Sequence, residues 1–297
     1  MKHLLQNKLL NAIIKILIFG GLLLVLYKQL FSNEKMDATY EHFLLNFHGN
    51  YLLLTLVIVL MIVNWALEGI KWKMLIDKLH PITWLEAFEG ILFGVTFSLF
   101  TPSRIGEFGG RIFALNTDRK QAIVSTMLGS AAQIVINLSL GAFGLLLYSF
   151  LYEKLDAYFL FAFISIYILM VIAIHFAFYN LDVISTKFAR FSIFKKIYKY
   201  IHIIDLYSNK EFFHLELLSG LRYGIYCFQY VLLLKFFGFQ LPFFTAMITV
   251  ATIFFVQTIN PINIALIDFG FRGNVAAYFL AGFTGNPIAI IATTVTL

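Results

Sequence analysis

Six stretches of the chain are apolar over lengths that can cross a lipid bilayer. They lie at 9–31, 50–71, 121–151, 156–180, 213–237 and 241–260. A hydrocarbon core of roughly 30 Å needs about 20 helical residues, and a helix satisfies its own backbone hydrogen bonds there. Two more stretches, 84–101 and 264–283, are apolar but interrupted, and a last one begins at Ile288. The sequence therefore predicts an all-α polytopic integral membrane protein with about six to eight transmembrane helices.

The composition supports a single membrane domain over residues 1–297. Of the 297 residues, 60% are hydrophobic and 13% are charged, and the mean hydropathy is +0.84. One soluble core of this length cannot bury so much apolar surface. The formal net charge is +6, but the basic residues lie between apolar segments, which favours anionic lipid headgroups over nucleic acid as partners. The seven histidines lack the paired spacing typical of a metal site, and no cofactor is expected.

The distribution of lysine and arginine predicts the orientation. Three lysines lie within the first fifteen residues, and Lys71, Lys73 and Lys78 follow the second apolar stretch. By the positive-inside rule, the N-terminus is then cytoplasmic, and we expect a bacterial cytoplasmic (inner) membrane. The later basic stretches 102–120 and 181–212 both face the cytoplasm only if the intervening segment at 84–101 enters the membrane and returns. That segment is predicted to be re-entrant; a short ordinary span that violates the charge rule is the alternative.

The basic segment at 181–212 has an apolar periodicity of its own. Phe191, Ile197 and Ile201 recur at helical spacing, while Lys195 and Lys199 occupy another face. This pattern is typical of a helix that lies on the cytoplasmic leaflet. A solvated connector is the alternative interpretation.

The stretch "TPSRIGEFGGR" concentrates glycine, proline and charge at the end of the first interrupted segment. The residues predicted to mark irregular backbone are Pro102, Gly106, Gly109 and Gly110. Irregular backbone at membrane depth is tolerated only where protein or water covers it, and charges there are expected to face a cavity. If the chain resumes as a helix, then Arg104, Glu107 and Arg111 share one face and can pair.

A similar element returns near the end of the chain. "EFGGR" at 107–111 is echoed by "DFGFR" at 268–272, and both copies follow a proline. The second copy supplies Pro261, Asp268, Gly270 and Arg272. Paired interruptions in two halves are typical of a transporter core, and an internal repeat would account for both.

Three motifs together resemble the lysylphosphatidylglycerol synthase transmembrane-region family, also called the flippase-like domain. They are "EGIKWKMLID", which contains Lys71 and Trp72, then "TPSRIGEFGGR" and "NPINIALIDFGFRGN". The resemblance covers essentially the whole chain, without the soluble aminoacyl-transferase domain. It implies that the protein translocates or accommodates anionic or modified phospholipids. Two features depart from the family: Gly273 replaces a glutamate, and "LGSAAQIV" lacks a Glu-Arg pair.

The first hypothesis is therefore a flippase-like membrane protein that is not an enzyme. Its arginines would contact the lipid phosphate, and its acids would hold or compete for those arginines. The substrate-binding candidates are Arg104, Glu107, Arg111, Asp268 and Arg272. In a purely structural alternative, these five charges satisfy one another and fix the turns.

The second hypothesis is a noncatalytic membrane subunit that docks a separate lipid- or glycan-modifying enzyme. The missing Glu-Arg pair favours this alternative. Among the remaining polar residues, Glu68, Glu86 and Glu89 are interpreted as solvating helix ends. His175, in an apolar helix, is interpreted as a buried hydrogen-bonded residue rather than a ligand.

Overall fold

The computed structural model describes residues 35–99, 105–113, 119–153, 156–188, 202–260, 271, 274–280 and 283. All the regular structure in these ranges is helical, which confirms the all-α prediction. The α-helices are α1 (Lys35–Ile76), α2 (Trp84–Leu99), α3 (Ile105–Phe113), α4 (Arg119–Tyr152), α5 (Ala157–Tyr179), α6 (Leu181–Phe188), α7 (Asn209–Phe236) and α8 (Phe243–Ile259). A 3-10 helix, η1, spans His202–Leu206.

Four of these helices are long and apolar enough to cross a membrane. The spanning parts are Asn50–Ile76 of α1, Gln121–Tyr152 of α4, all of α5 and all of α7. They coincide with four of the predicted stretches, so the chain is a multi-pass membrane protein. The shorter apolar α8 has 17 residues and matches the stretch at 241–260. The stretches at 9–31 and from Ile288 onward, and most of 264–283, lie outside the described residues.

Helix α1 bends where its membrane-spanning part begins. Asn50 has a non-helical backbone, with φ −133° and ψ 26°. The sequence "HGNY" places glycine and asparagine together there, and both are poor helix formers. The bend therefore separates the apolar span from the more polar residues before it.

Helices α2 and α3 form a tight antiparallel hairpin. Helix α2 is capped by Thr83 and Glu86: the Thr83 amide donates to Glu86 Oε2 at 2.7 Å, and the Glu86 amide donates to Thr83 Oγ1 at 3.3 Å. Helix α3 then runs back along α2, because Gly94 lies against Glu107 whereas Gly90, one turn earlier, lies against the carbonyl of Arg111. The hairpin is what a re-entrant segment requires, and its depth in the membrane stays a prediction.

Glycines allow the two arms of the hairpin to approach closely. A Cβ atom at Gly110 would lie 2.6 Å from the carbonyl oxygen of Phe93, and one at Gly90 would lie 2.5 Å from the ring of Trp72 on α1. A Cβ atom at Gly109, on the other side of α3, would have no described residue within 4 Å. Gly110 thus allows α3 to pack closely on α2, and Gly90 allows the hairpin to pack on Trp72 of α1.

Helices α1, α4 and α7 pack together in the centre of the described structure, and α8 packs against α4 and α7. Helix α5 contacts α4, reaches α7 through the Tyr179–Glu216 hydrogen bond and is otherwise largely exposed, with Phe178 as its one buried residue. The prediction that His175 is buried is therefore wrong, since its side chain is 31% exposed, although its Nδ1 lies 2.9 Å from the carbonyl oxygen of Val171.

Lys78 Nζ lies 2.9 Å from Glu211 Oε1. This ion pair holds the C-terminal end of α1 beside the N-terminal end of α7, and we call this side of the molecule the basic end.

The basic end also receives part of the segment predicted to lie on the leaflet. Ile203 and Tyr207 are buried in a core formed with α1, α4, α5 and α7. The Tyr207 hydroxyl donates to the carbonyl of Leu75 at 2.7 Å and lies 2.8 Å from Ser125 Oγ. Residues 202–207 therefore pack against the bundle. Phe191, Lys195, Ile197, Lys199 and Ile201 lie outside the described residues, so the interfacial helix stays a prediction.

Candidate functional site

Five charged side chains from three helices meet inside the bundle. Helix α1 supplies Glu68 and Lys71, α3 supplies Glu107 and Arg111, and α7 supplies Arg222. We call this group the Glu68 cluster. Charges in a membrane-spanning helix are costly, roughly 2.5–3.5 kcal/mol for an isolated arginine or aspartate at mid-membrane, so such groups mark functional sites by default.

Glu68 lies at the centre of the cluster and is almost fully buried, with 4% of its surface exposed. Lys71 Nζ lies 2.8 Å from Glu68 Oε2, and Arg111 Nη1 donates to Glu68 Oε1 at 2.7 Å. Arg222 Nη1 donates to Oε2 as well. One carboxylate therefore joins cations from α1, α3 and α7, and it ties the hairpin to the membrane-spanning helices.

Arg111 links the two carboxylates. Its Nη2 pairs with Glu107 Oε1, one turn earlier on α3. Its Nε is buried and has no hydrogen-bond partner among the described residues. The aliphatic part of the side chain passes over Gly94, where a Cβ atom would lie 2.7 Å from Arg111 Cγ. The absence of a side chain at Gly94 gives Arg111 its path to Glu68.

Arg222 is held by a network of neutral polar groups. Its Nε donates to Asn64 Oδ1 at 2.9 Å, and its Nη1 also donates to Gln133 Oε1 at 3.2 Å. Its guanidinium lies 5.7 Å from the centre of the Tyr226 ring, a cation–π distance. Gln133 Nε2 donates in turn to the carbonyl of Ser219 at 3.2 Å. The position of this arginine is thus fixed by α1, α4 and α7 together.

Counted over the described residues, the cluster carries an excess of one positive charge. Three cations, Lys71, Arg111 and Arg222, face two carboxylates, Glu68 and Glu107. The carboxylates differ in their surroundings. The Glu68 side chain is 5% exposed and has three cationic partners, whereas the Glu107 side chain is 26% exposed and, within the part of the chain that the structure describes, pairs only with Arg111. The cluster therefore has an inner carboxylate with three cationic partners and an outer carboxylate that is more exposed.

Several predicted residues lie outside the described ranges, and their roles stay predictions. They are Arg104, Asp268, Arg272, Pro102, Pro261 and Gly270. The prediction of irregular backbone at Gly106, Gly109 and Gly110 is wrong, since α3 runs without a break from Ile105 to Phe113. The physical reason is that Gly110 serves close packing against α2 rather than a turn.

Two predictions about α1 are also wrong. Glu68 does not solvate a helix end, and Lys71 does not lie in a cytoplasmic stretch after the span, because each side chain is buried and pairs with the other. Helix α1 continues to Ile76, five residues past the predicted end of the span.

Arg222, Asn64 and Gln133 were not among the site residues predicted from the sequence. The signal was present: "SGLRYGIY" places one arginine inside a predicted span, where a charge needs a partner. Within the described ranges, no group of three His, Cys, Asp or Glu side chains is arranged to hold a metal ion.

The comparison with protein families identifies the chain. The model of the "Lysylphosphatidylglycerol synthase TM region" matches residues 12–296. The chain belongs to this family. The predicted resemblance is thereby confirmed over nearly the whole chain, and the protein is a membrane protein of a family associated with lipid headgroup modification. No curated protein and no solved structure matches. Within the lysylphosphatidylglycerol synthase transmembrane-region family, the motif residues Lys71 and Arg111 are here two members of the Glu68 cluster.

Proposed function

We propose that the protein is a noncatalytic, flippase-like membrane protein that translocates or accommodates anionic or modified phospholipid headgroups. The observation that carries this proposal is the excess positive charge of the buried Glu68 cluster. A lipid phosphate supplies the missing negative charge. Guanidinium groups suit this role because their planar fork of donors matches phosphate oxygens.

Glu107 is the group that the phosphate replaces. It is the more exposed carboxylate, and among the described residues it forms an ion pair with Arg111. Glu68 stays in place because three cations hold it. The headgroup thus binds when phosphate displaces Glu107 from Arg111 and leaves when Glu107 returns, while the acyl chains remain in lipid.

The hairpin of α2 and α3 presents Arg111 to the headgroup. In this proposal the hairpin is re-entrant and opens toward the basic end, which faces the cytoplasm of a bacterial inner membrane with the N-terminus on the same side. Arg104 extends the phosphate site from the start of the hairpin's second arm. Asp268 and Arg272 supply the corresponding acid–arginine pair of the second element, as an internal repeat would place them.

The experiment compares phosphatidylglycerol movement in proteoliposomes that contain wild-type protein or the Glu107→Gln variant. The variant removes the competing carboxylate, so phosphatidylglycerol is expected to bind about tenfold more tightly, since a hydrogen bond to a charged group contributes about 1.5–3 kcal/mol. Release slows for the same reason, and translocation falls. Glu89→Gln, an exposed carboxylate on α2, is the matched control.

Two other results would argue against this proposal. Unchanged binding and translocation in Glu107→Gln, with Glu89→Gln also unchanged, would refute the exchange mechanism. An absence of translocation by wild-type protein, together with a lipid- or glycan-modifying enzyme that co-purifies stoichiometrically, would favour the alternative of a docking subunit.

A further inference from the structure

Trp72 on α1 is fully buried and lies against the hairpin that carries Arg111. A Cβ atom at Gly90 on α2 would lie 2.5 Å from Cζ3 and 2.7 Å from Cη2 of the Trp72 ring, and 3.4 Å from the carbonyl oxygen of Arg111. The ring also belongs to a hydrophobic core built by side chains of α1, α2 and α4. The indole therefore meets α2 at the level of the Arg111 backbone.

A hydrogen bond to α4 fixes the orientation of this ring. Trp72 Nε1 donates to Thr126 Oγ1 at 3.0 Å, and Thr126 Oγ1 donates in turn to the carbonyl oxygen of Ala122 at 2.8 Å. The hydroxyl has one hydrogen, so its bond to Ala122 leaves its lone pairs for the indole, which can only donate. Both Trp72 and Thr126 are buried, so solvent has little access to this bond. Helix α4 thus holds the ring in one orientation.

Trp72 and Glu68 face the hairpin from the same side of α1. They are spaced i and i+4, which places them one turn apart on one face of the helix. Glu68 Oε1 accepts from Arg111 Nη1 at 2.7 Å, and the Trp72 ring lies against Gly90. Helix α1 therefore contacts the hairpin through the arginine side chain and, one turn further on, beside the arginine backbone. The second contact sets the separation across which Arg111 reaches Glu68.

We propose that Trp72, held by Thr126, is a positioning residue that keeps Arg111 where it can bind a lipid phosphate. The buried indole acts through the hairpin and not on the headgroup itself. Without the bond to Thr126, the ring can turn within its core and the hairpin shifts relative to α1. Arg111 then no longer has a fixed place between Glu68 and Glu107. This inference rests on the proposed function of the Glu68 cluster as a phosphate site.

The test uses Thr126→Val, which removes the acceptor for Trp72 and nearly keeps the shape of the side chain. Thr126→Ser keeps the hydroxyl and is expected to behave like wild type. Thr252→Val on α8 is the matched control. Thr252 is also buried and donates to the carbonyl oxygen of Ile248, four residues earlier, at 2.9 Å, but within the described ranges its hydroxyl accepts no hydrogen bond. Both valine variants therefore lose the same bond within a helix, and only Thr126→Val frees the indole.

The first measurement is the affinity of the full chain in phosphatidylcholine nanodiscs for fluorescent phosphatidylglycerol. Thr126→Val is expected to bind about fivefold less tightly, the factor that one neutral hydrogen bond typically contributes. Thr126→Ser and Thr252→Val are expected to bind as tightly as wild type. Thermal unfolding is measured on the same samples. A lower Tm in Thr126→Val with the lipid affinity of the folded protein unchanged would show a merely structural role and overturn the inference.

A second readout separates this inference from the proposed function. Spin labels on Gly109→Cys in α3 and Ile70→Cys in α1, both exposed positions, report the distance between the hairpin and α1 by double electron–electron resonance. Cys227 is buried and stays unlabelled in the folded protein. The distance distribution is expected to be narrow in wild type, Thr126→Ser and Thr252→Val, and broader in Thr126→Val.

The two readouts together distinguish the possible failures. If the distribution broadens in Thr126→Val but phosphatidylglycerol binds to none of the proteins, the positioning role of Trp72 is supported and the phosphate site fails. If the distribution is the same in all four proteins, the inference is overturned, whatever the lipid affinities are.

Discussion

Gly94 offers the sharpest perturbation of the hairpin because a single methyl group there meets Arg111. In Gly94→Ala, the new Cβ would lie 2.7 Å from Arg111 Cγ, 3.2 Å from the Glu107 carbonyl oxygen and 3.3 Å from Arg111 Nε. Carbon atoms do not approach this closely, so either the arginine leaves its path to Glu68 or the two arms of the hairpin separate. Gly109→Ala is the matched control, since nothing lies within 4 Å of its Cβ.

The expected magnitude follows from two opposing terms. Replacing glycine by alanine within a helix stabilises it by about 1 kcal/mol, and this gain applies to both variants. Overpacking costs about 1–3 kcal/mol and applies only to Gly94→Ala. The free energy of unfolding of Gly94→Ala should therefore lie about 1–3 kcal/mol below that of Gly109→Ala. At about 2–4 °C per kcal/mol, the difference in Tm is about 2–12 °C.

The single cysteine provides the assay. Cys227 is buried, with 1% of its surface exposed, so a thiol-reactive fluorescent dye labels the protein only as it unfolds. Because Arg111 moves, phosphatidylglycerol translocation should also fall in Gly94→Ala and stay at the wild-type level in Gly109→Ala. Equal Tm values and equal translocation in the two variants would refute the close approach of Arg111 to α2.

Two further predictions concern buried polar groups. Lys71→Met removes one of the three cations on Glu68. The free energy of unfolding should fall by an amount toward the lower end of the roughly 3–5 kcal/mol typical of a broken buried ion pair. Lys73→Met, at a partly exposed site, should change the free energy of unfolding, measured by dye labelling, by less than about 1 kcal/mol. Tyr207→Phe removes the hydroxyl that donates to the Leu75 carbonyl at the end of α1, and it should lower the free energy of unfolding by about 1–3 kcal/mol. Burial raises the pKa of Tyr207 to about 12, so wild-type stability should decrease as the pH rises from about 10 through 12, and this component should be absent in Tyr207→Phe.

The spans could be predicted from the sequence because hydropathy and length decide them. The stretches at 121–151 and 156–180 agree closely with α4 and α5. The charge rule also predicted a segment that turns back near 101, and the α2–α3 hairpin has the antiparallel form that such a turn needs. These features depend on local composition, which a single sequence contains.

The Glu68 cluster could be predicted only in part, because its contacts are distant along the chain. The spacing of Glu107 and Arg111 on one helix is visible in the sequence, but Glu68 pairs with partners 43 and 154 residues away. The end of α1 was misjudged for a different reason, since Glu68 and Lys71 are only three residues apart but their burial is not visible in the sequence. A lysine beside an apolar run normally faces water, and only the tertiary structure shows that Lys71 is neutralised by Glu68 inside the bundle.

The most direct test of the account is whether anionic lipid affinity follows the charge of the cluster. Binding of phosphatidylglycerol and of phosphatidylcholine is measured in nanodiscs for wild type, with cluster charge +1, and for Glu107→Gln and Arg222→Gln, which change it to +2 and to zero. Thermal unfolding confirms that each variant is folded. The account predicts that phosphatidylglycerol binds most tightly to Glu107→Gln, less tightly to wild type and least to Arg222→Gln, with phosphatidylcholine unaffected. Equal phosphatidylglycerol affinities in all three folded proteins would contradict it.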